Sequence, residues 1–155
     1  MMEKNLDQVI ISLVCRLCAA LDTNDVSEIE ACCAKDFHYK IITNIPDIGK
    51  ESTWYEQPLV GLLDLVKNLD RHLTMRGSFL RHVSQCAIHR TFDNSEIIVK
   101  SSVIVTHTPL DGTSHLYAAG RYTDRISCDN EIPRISDRVL HLQTRDLGPG
   151  PHLPI

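Results

Sequence analysis

The sequence lacks any apolar run approaching the ~20 residues of a membrane span, and its longest such run near the N-terminus is broken by Arg16 and Asp22. A membrane partner is therefore not expected. The chain also opens unlike a secreted one. Met-Met-Glu-Lys-Asn is not followed by a short apolar core with a small-residue cleavage site, so no signal peptide is expected. Basic residues are scarce for a nucleic-acid surface: 16 Lys and Arg stand against 20 Asp and Glu, a net charge of −4. That balance counts against nucleic acid as the main partner. Internal repeats, linkers and low-complexity segments are absent. Six cysteines do not make a disulfide scaffold in a chain of this length. They read as thiols in a reducing compartment, which points to the cytoplasm.

What is present fits one domain, residues 1–155, with 43% apolar and 23% charged residues. A chain of this size can bury roughly 68–70% of its unfolded surface, enough for a core without metal or disulfide staples. Leu6, Val9, Ile10, Leu13, Val14, Leu17, Cys18 and Leu21 recur at helical spacing and predict an amphipathic helix. Asp22-Thr23-Asn24-Asp25 breaks it and offers caps for a short second helix, so helical structure is expected over about 5–35. Phe37-His38-Tyr39-Lys40-Ile41-Ile42 reads as a first strand, about 37–43. Residues 43 to 57 hold Pro46 and Gly49 without a steady period and read as a loop. Pro58 opens a third helix, about 58–76, with Leu59, Leu62, Leu63, Val66, Leu69 and Leu73 on its buried stripe and Gly77 at its end.

After Gly77 the period falls to two. Strands are expected over about 79–92, 95–108, 114–127 and 132–144, separated by Asp93-Asn94, Asp111-Gly112 and Asp129-Asn130. In the first of these, Leu80, His82, Ser84, Cys86, Ile88 and Phe92 are expected on one face and Arg81, Gln85, His89 and Thr91 on the other. Connections so short impose an antiparallel meander. Helices first and sheet second is an α+β layout. Helices folded over a strongly curved antiparallel sheet make a cone, the outline of the cystatin-like roll of nuclear transport factor 2 and ketosteroid isomerase. That roll hosts enzymes, binders and assembly subunits alike.

Metal chemistry finds little support. Cys15 and Cys18 form a Cys-x-x-Cys pair, but adjacent Cys32 and Cys33 are poor partners for one tetrahedral zinc. Packed thiols are the plainer reading. A Rieske cluster needs Cys-x-His and Cys-x-x-His; Cys86-Ala87-Ile88-His89 supplies the second, and the first is absent. Asp36 and His38, with His82 brought near by folding, are the remaining candidates for a mononuclear iron site. Acid–base chemistry in a cone mouth has Asp36, His38, Tyr39, His82 and Tyr122 as candidates, against the plainer reading of hydrogen-bonded core side chains. Arginines stud the strands as Arg81, Arg90, Arg121, Arg125, Arg134, Arg138 and Arg145, with Asp124, Asp137 and Asp146 among them. This pattern suits either bidentate pairs at subunit interfaces or a solvated face.

At these residues the sequence resembles a known family, the small (beta) subunit of Rieske-type aromatic-ring-hydroxylating dioxygenases, of the SnoaL/NTF2-like superfamily. Glu30-Ala31-Cys32-Cys33-Ala34-Lys35-Asp36-Phe37-His38-Tyr39 is similar to that family's helix end and first strand. Arg81-His82-Val83 resembles its arginine-histidine strand start, and Tyr117-Ala118-Ala119-Gly120-Arg121-Tyr122-Thr123-Asp124 its Gly-Arg-Tyr-x-Asp strand. Arg138-Val139 and Leu153-Pro154-Ile155 resemble its last strand and tail. Ile135-Ser136-Asp137-Arg138 and the cysteine count depart from the pattern. The resemblance implies a chain with no cofactor and no catalytic residue of its own. Its large (alpha) partner would carry a Rieske [2Fe-2S] cluster and a mononuclear Fe(II). The small subunit would self-associate as a trimer within an α3β3 hexamer and serve breakdown of an aromatic compound, with an aromatic carboxylate expected from the short chain. Arg81, His82, Arg121, Tyr122, Asp124 and Arg138 are the expected subunit-interface residues. The alternative is a stand-alone isomerase or dehydratase of the same roll, using Asp36, His38, Tyr39 or His82 in the cavity.

Overall fold

The computed structural model describes residues 2–72, 75–91, 96–128, 132–148 and 154–155. Helix α1 (Met2–Thr23) buries Ile10, Leu13, Val14, Leu17, Cys18 and Leu21, the stripe that its period dictates. Val9 falls at the margin of that stripe and stays 45% exposed, and Cys15 also faces out. Helix α2 (Val26–Cys32) starts at Asp25, whose carboxylate accepts the Glu28 amide at 3.0 Å and so satisfies one of the orphan donors of the first turn.

Strand β1 (Cys33–Ile45) begins earlier than expected, because the second helix stops at Cys32. The expected loop over 43–57 is a correction. β1 runs on to Ile45, a single 3-10 turn spans Pro46–Ile48, and β2 (Lys50–Pro58) pairs back antiparallel. Gly49, at φ 61°, makes the reversal in the left-handed region. β2 was illegible in the sequence because it is an edge strand open to water on most positions, so Lys50-Glu51-Ser52-Thr53-Trp54-Tyr55-Glu56-Gln57-Pro58 carries no apolar alternation. The third expected helix divides into α3 (Leu59–Lys67) and the single turn α4 (Leu69–His72) at Asn68; Leu73 lies outside the described residues.

Strands β3 (Ser78–Arg90), β4 (Ile97–Thr108), β5 (His115–Ser127) and β6 (Arg134–Leu142) form the meander. The Asp111-Gly112 turn joins β4 to β5, with the Gly112 amide donating to Pro109. Asp93-Asn94, Asp129-Asn130 and Phe92 lie outside the described residues. The sheet has six strands in the order β2-β1-β6-β5-β4-β3, and it is mixed, since β1 lies parallel to β6. A parallel pair needs a long crossover. Here that crossover is everything from β2 to β5, which no local pattern announces.

The faces of β3 also depart from the simple alternation. Phe79, Arg81 and Val83 point to the helices, and Leu80 and His82 point away. A bulge between Ser84 and Ala87, with Gln85 at φ 55°, adds one residue and reverses the parity, so Cys86 and Ile88 return to the core side. A uniform period of two put Leu80 and His82 on one face with Cys86 and Ile88; the bulge separates them. β4 keeps its period, with Ile97, Val99, Val103 and Val105 all buried.

Candidate functional site

The curled sheet and α1 enclose an interior that is lined by charge as well as by apolar groups. Arg138 on β6 stands opposite Asp124 on β5 in the strand register, and both face inward. Their bond is bidentate, Nε to Oδ1 at 2.7 Å and Nη2 to Oδ2 at 2.8 Å. Arg138 is 1% exposed and Asp124 0%. The guanidinium lies 4.1 Å from the centre of the Tyr122 ring, and its Nη1 donates to Cys18 Sγ of α1 at 3.4 Å. Burial works against the charge on Arg138, but the charge and hydrogen bonds of Asp124, together with Cys18 and Tyr122, outweigh it and hold the group protonated well above its ordinary range. Burial also raises the Tyr39 and Tyr122 hydroxyls well above their usual value.

A second buried pair ties α1 and the tail to β3. The Arg81 amide donates to Asp22 Oδ2 at 3.1 Å, and its guanidinium pairs with Asp22 Oδ1 through Nη1. Arg81 Nη2 donates to the Pro154 carbonyl, and the Tyr39 hydroxyl donates to the carbonyl of Ile155. Ile155 is 1% exposed. Pro154 and Ile155 thus sit inside the cone, held by two side chains of the sheet. The space that a roll of this kind can leave open for a substrate is occupied here by Tyr39, Tyr122, Arg81, Arg138 and Ile155.

The acid–base candidates are not assembled. Tyr39 faces inward, while Asp36 is exposed. His38 is half-buried, with Nε2 3.2 Å from Glu56 of the edge strand. His82 is exposed on the outer face, its Nε2 3.4 Å from the Thr106 hydroxyl. Tyr122 is committed to the Arg138 face. The same separation removes Asp36, His38 and His82 as one metal-ligand set. Cys86 and His89 point to opposite faces of β3, and among the described residues no group of three or more His, Cys, Asp and Glu could hold a metal ion. All six cysteines are free, and burial raises the Cys32 thiol to about 11 and the Cys33 thiol to about 12, so neither is an activated nucleophile.

The seven arginines expected on the strands sort into three groups, and Arg145 lies beyond the end of β6. Arg81 and Arg138 are interior. Arg90 pairs with Asp7 of α1, Arg125 with Glu96 and, at 3.5 Å, with Asp137, and Arg134 donates to the Cys33 carbonyl at 3.2 Å. Arg121 and Arg145 have no partner among the described residues. Of the expected interface residues, Arg81, Tyr122, Asp124 and Arg138 therefore lie within the chain's own core, and Arg121 and His82 lie on its surface.

Arg121 opens onto the second feature, a groove on the helix-free face of the sheet with a volume of about 750 Å³. Its basic lining comes from His89, Lys100, Arg121, His141 and Arg145, and none of its lining residues is Asp or Glu. Sequence reasoning singled out Arg121 and missed Lys100 and His141. The signal was available only with the register in hand, since Ser102, Arg121 and His141 are aligned across β4, β5 and β6.

The chain matches the family model of the SnoaL-like domain over residues 6–139. It is 30% identical over 123 residues to the 2-aminobenzenesulfonate 2,3-dioxygenase subunit beta of an Alcaligenes species, covering 79% of this chain and 81% of that one. It is 28% identical over 143 residues to the methanesulfonate monooxygenase hydroxylase subunit beta of Methylosulfonomonas methylovora, covering 87% and 79%. In three dimensions it superposes along the full length of both chains, with a TM-score of 0.83 and 18% identity, on a Novosphingobium aromaticivorans protein assigned as the beta subunit of an aromatic-ring-hydroxylating dioxygenase. With a matching domain model over most of its length and a relative at this identity and coverage, the chain belongs to the SnoaL-like family, among the beta subunits of ring-hydroxylating dioxygenases.

Proposed function

We propose that this chain is a non-catalytic, structural beta subunit that supports a large subunit carrying the Rieske cluster and the mononuclear iron, as a trimer of its own kind within an α3β3 hexamer in the cytoplasm. The observation that carries the reading is the filled cone. Two buried ion pairs, Arg138–Asp124 and Arg81–Asp22, together with Pro154 and Ile155, take up the interior. The groups that a base-catalysed isomerase or dehydratase would place there, Asp36, His38 and His82, project elsewhere. Among the described residues no group of three or more His, Cys, Asp and Glu could hold an iron, which supports assigning the oxygen chemistry to the partner. Six free thiols suit a reducing compartment. For the substrate we infer an aromatic acid. A carboxylate was the expectation from the sequence, and the relative named for 2-aminobenzenesulfonate extends the aromatic class to sulfonates.

The test is to purify the chain together with its large subunit and to assay ring hydroxylation for wild type and for Asp36→Ala, His38→Ala and His82→Ala. Turnover per assembled iron is expected to stay unchanged in all three. An assembled complex with full iron that has lost turnover in any of them would overturn the structural role and favour the acid–base alternative.

A further inference from the structure

We propose that the basic groove on the outer sheet face receives the β1–β2 hairpin of a second copy of this chain, and that this is the head-to-tail contact between copies. The inference rests on the reading above and deepens it by assigning the two surfaces.

The groove is built to be covered by something acidic. Lys100 on β4 lies opposite Thr123, and Arg121 is two residues along β5, so the two cations are diagonal neighbours. His141 stands directly across from Arg121. Like charges on adjacent strands are destabilising in an isolated sheet. No described residue relieves them: the side chains of Lys100, Arg121 and Arg145 have no hydrogen-bond or ion-pair partner among the described residues, and the groove has no carboxylate lining. Other surface arginines do have carboxylate partners, as in Arg16–Glu28, Arg90–Asp7 and Arg125–Glu96. The same outer face carries apolar surface on β3, β4 and β5, where Leu80, Ile104 and Leu116 are 52%, 48% and 68% exposed.

The hairpin offers the complement. Asp47 and Glu51 at its tip are exposed and have no partner among the described residues, and with Lys50 between them the tip is net negative. Ile48 and Trp54 of the same hairpin are 60% and 40% exposed. An acidic tip with two large apolar side chains therefore matches a basic groove on a face with exposed aliphatics. Head-to-tail association requires two different patches on every copy, and the molecule has two. They adjoin, since Asn44 and Pro46, next to Asp47 at the tip of the hairpin, line one end of the groove. Adjoining patches suit a ring of few copies, whose contacts converge on the symmetry axis.

Charge reversal separates the possibilities. Sedimentation velocity would be run on the wild-type chain, on Lys100→Glu/Arg121→Glu, on Asp47→Lys/Glu51→Lys, and on the four-fold combination, with circular dichroism as the folding control. Each pair alone is expected to weaken self-association by about tenfold or more, because like charges then face each other. The combination is expected to restore it. Lys100→Gln/Arg121→Gln provides a milder variant should a reversal impair folding, and it should weaken association less than the reversal. Self-association that is unchanged by the reversals, or weakened without rescue in the combination, overturns the proposal. So does a wild-type chain that is monomeric, even one that binds the large subunit, and so do groove reversals that abolish large-subunit binding while copies stay associated. A charge-swapped chain that self-associates but never binds a large subunit would instead sink the dioxygenase-subunit role and leave this contact standing.

Discussion

Removing one member of the Arg138–Asp124 pair is the sharpest test of how the interior is held. Both side chains are within 1% of complete burial and share two hydrogen bonds of 2.7 and 2.8 Å. Asp124→Leu leaves the Arg138 guanidinium without its counter-ion, against the Tyr122 ring and Cys18 Sγ. A buried charge stripped of its partner costs about 3–5 kcal/mol, where the whole fold is worth about 5–15. With a urea slope of about 2 kcal/mol per molar, the midpoint should fall by about 1.5–2.5 M. Arg138→Met should be similarly damaging, because it strands Asp124. The double variant Asp124→Leu/Arg138→Met should recover most of the loss, since well-packed apolar replacements of a buried pair are often neutral or better. Urea unfolding of all four proteins, at one protein concentration because association adds to stability, gives the cycle. A single variant that loses less than about 1 kcal/mol would show that the pair is not dry, contrary to the expectation for a buried ion. A double variant as unstable as the sum of the singles would show that packing around Tyr122, and not the stranded charge, sets the cost.

Ile155→Ala should destabilise by about 2–5 kcal/mol, the range for a buried aliphatic truncated to alanine, and thermal unfolding reads it. Tyr39→Phe should cost about 1–3 kcal/mol, because the Ile155 carbonyl is left buried without its donor; an unchanged midpoint would mean that water reaches that carbonyl. Gly77→Ala should cost more than about 1 kcal/mol, since Gly77 sits at φ 123° and a Cβ there would overlap the Thr108 carbonyl. The Cys32 and Cys33 thiols have folded pKa values of about 11 and 12 against an ordinary 9.0, so the folded state holds protons that the unfolded chain releases. Their contribution to stability is complete below pH 9.0 and is lost as pH rises toward 12; stability that increases across that window would contradict the burial of these thiols. Alkylation of the native chain at pH near 8 should label Cys128 ahead of Cys18, Cys32 and Cys33, which should need unfolding, as peptide mass spectrometry would show.

Local patterning is enough to predict the helices that cover the sheet and the long strands of the meander. Those signals are local: Ile10, Leu13, Val14 and Leu17 repeat every turn, and Ile97, Val99, Val103 and Val105 alternate on a strand with one dry face. Asp25 was legible as a cap for the same reason, since a cap acts within three residues of itself. The family was legible in the Gly120-Arg121-Tyr122-Thr123-Asp124 strand. What those residues do depends on how the strands pack and pair. Arg121 and Asp124 are three apart on one strand, and the alternation sends one to the outer groove and the other to the core, where Arg138 arrives from the neighbouring strand. Arg81 and His82 part in the same way, and the bulge at Gln85 then inverts the parity of everything that follows on β3. β2 stayed hidden because an edge strand exposed to water needs no apolar pattern, and the parallel β1–β6 pairing because it joins segments about a hundred residues apart. The filling of the cone by Ile155 was hidden for that reason too: a contact between Tyr39 and Ile155 spans 116 residues, and only the packed fold brings the two together.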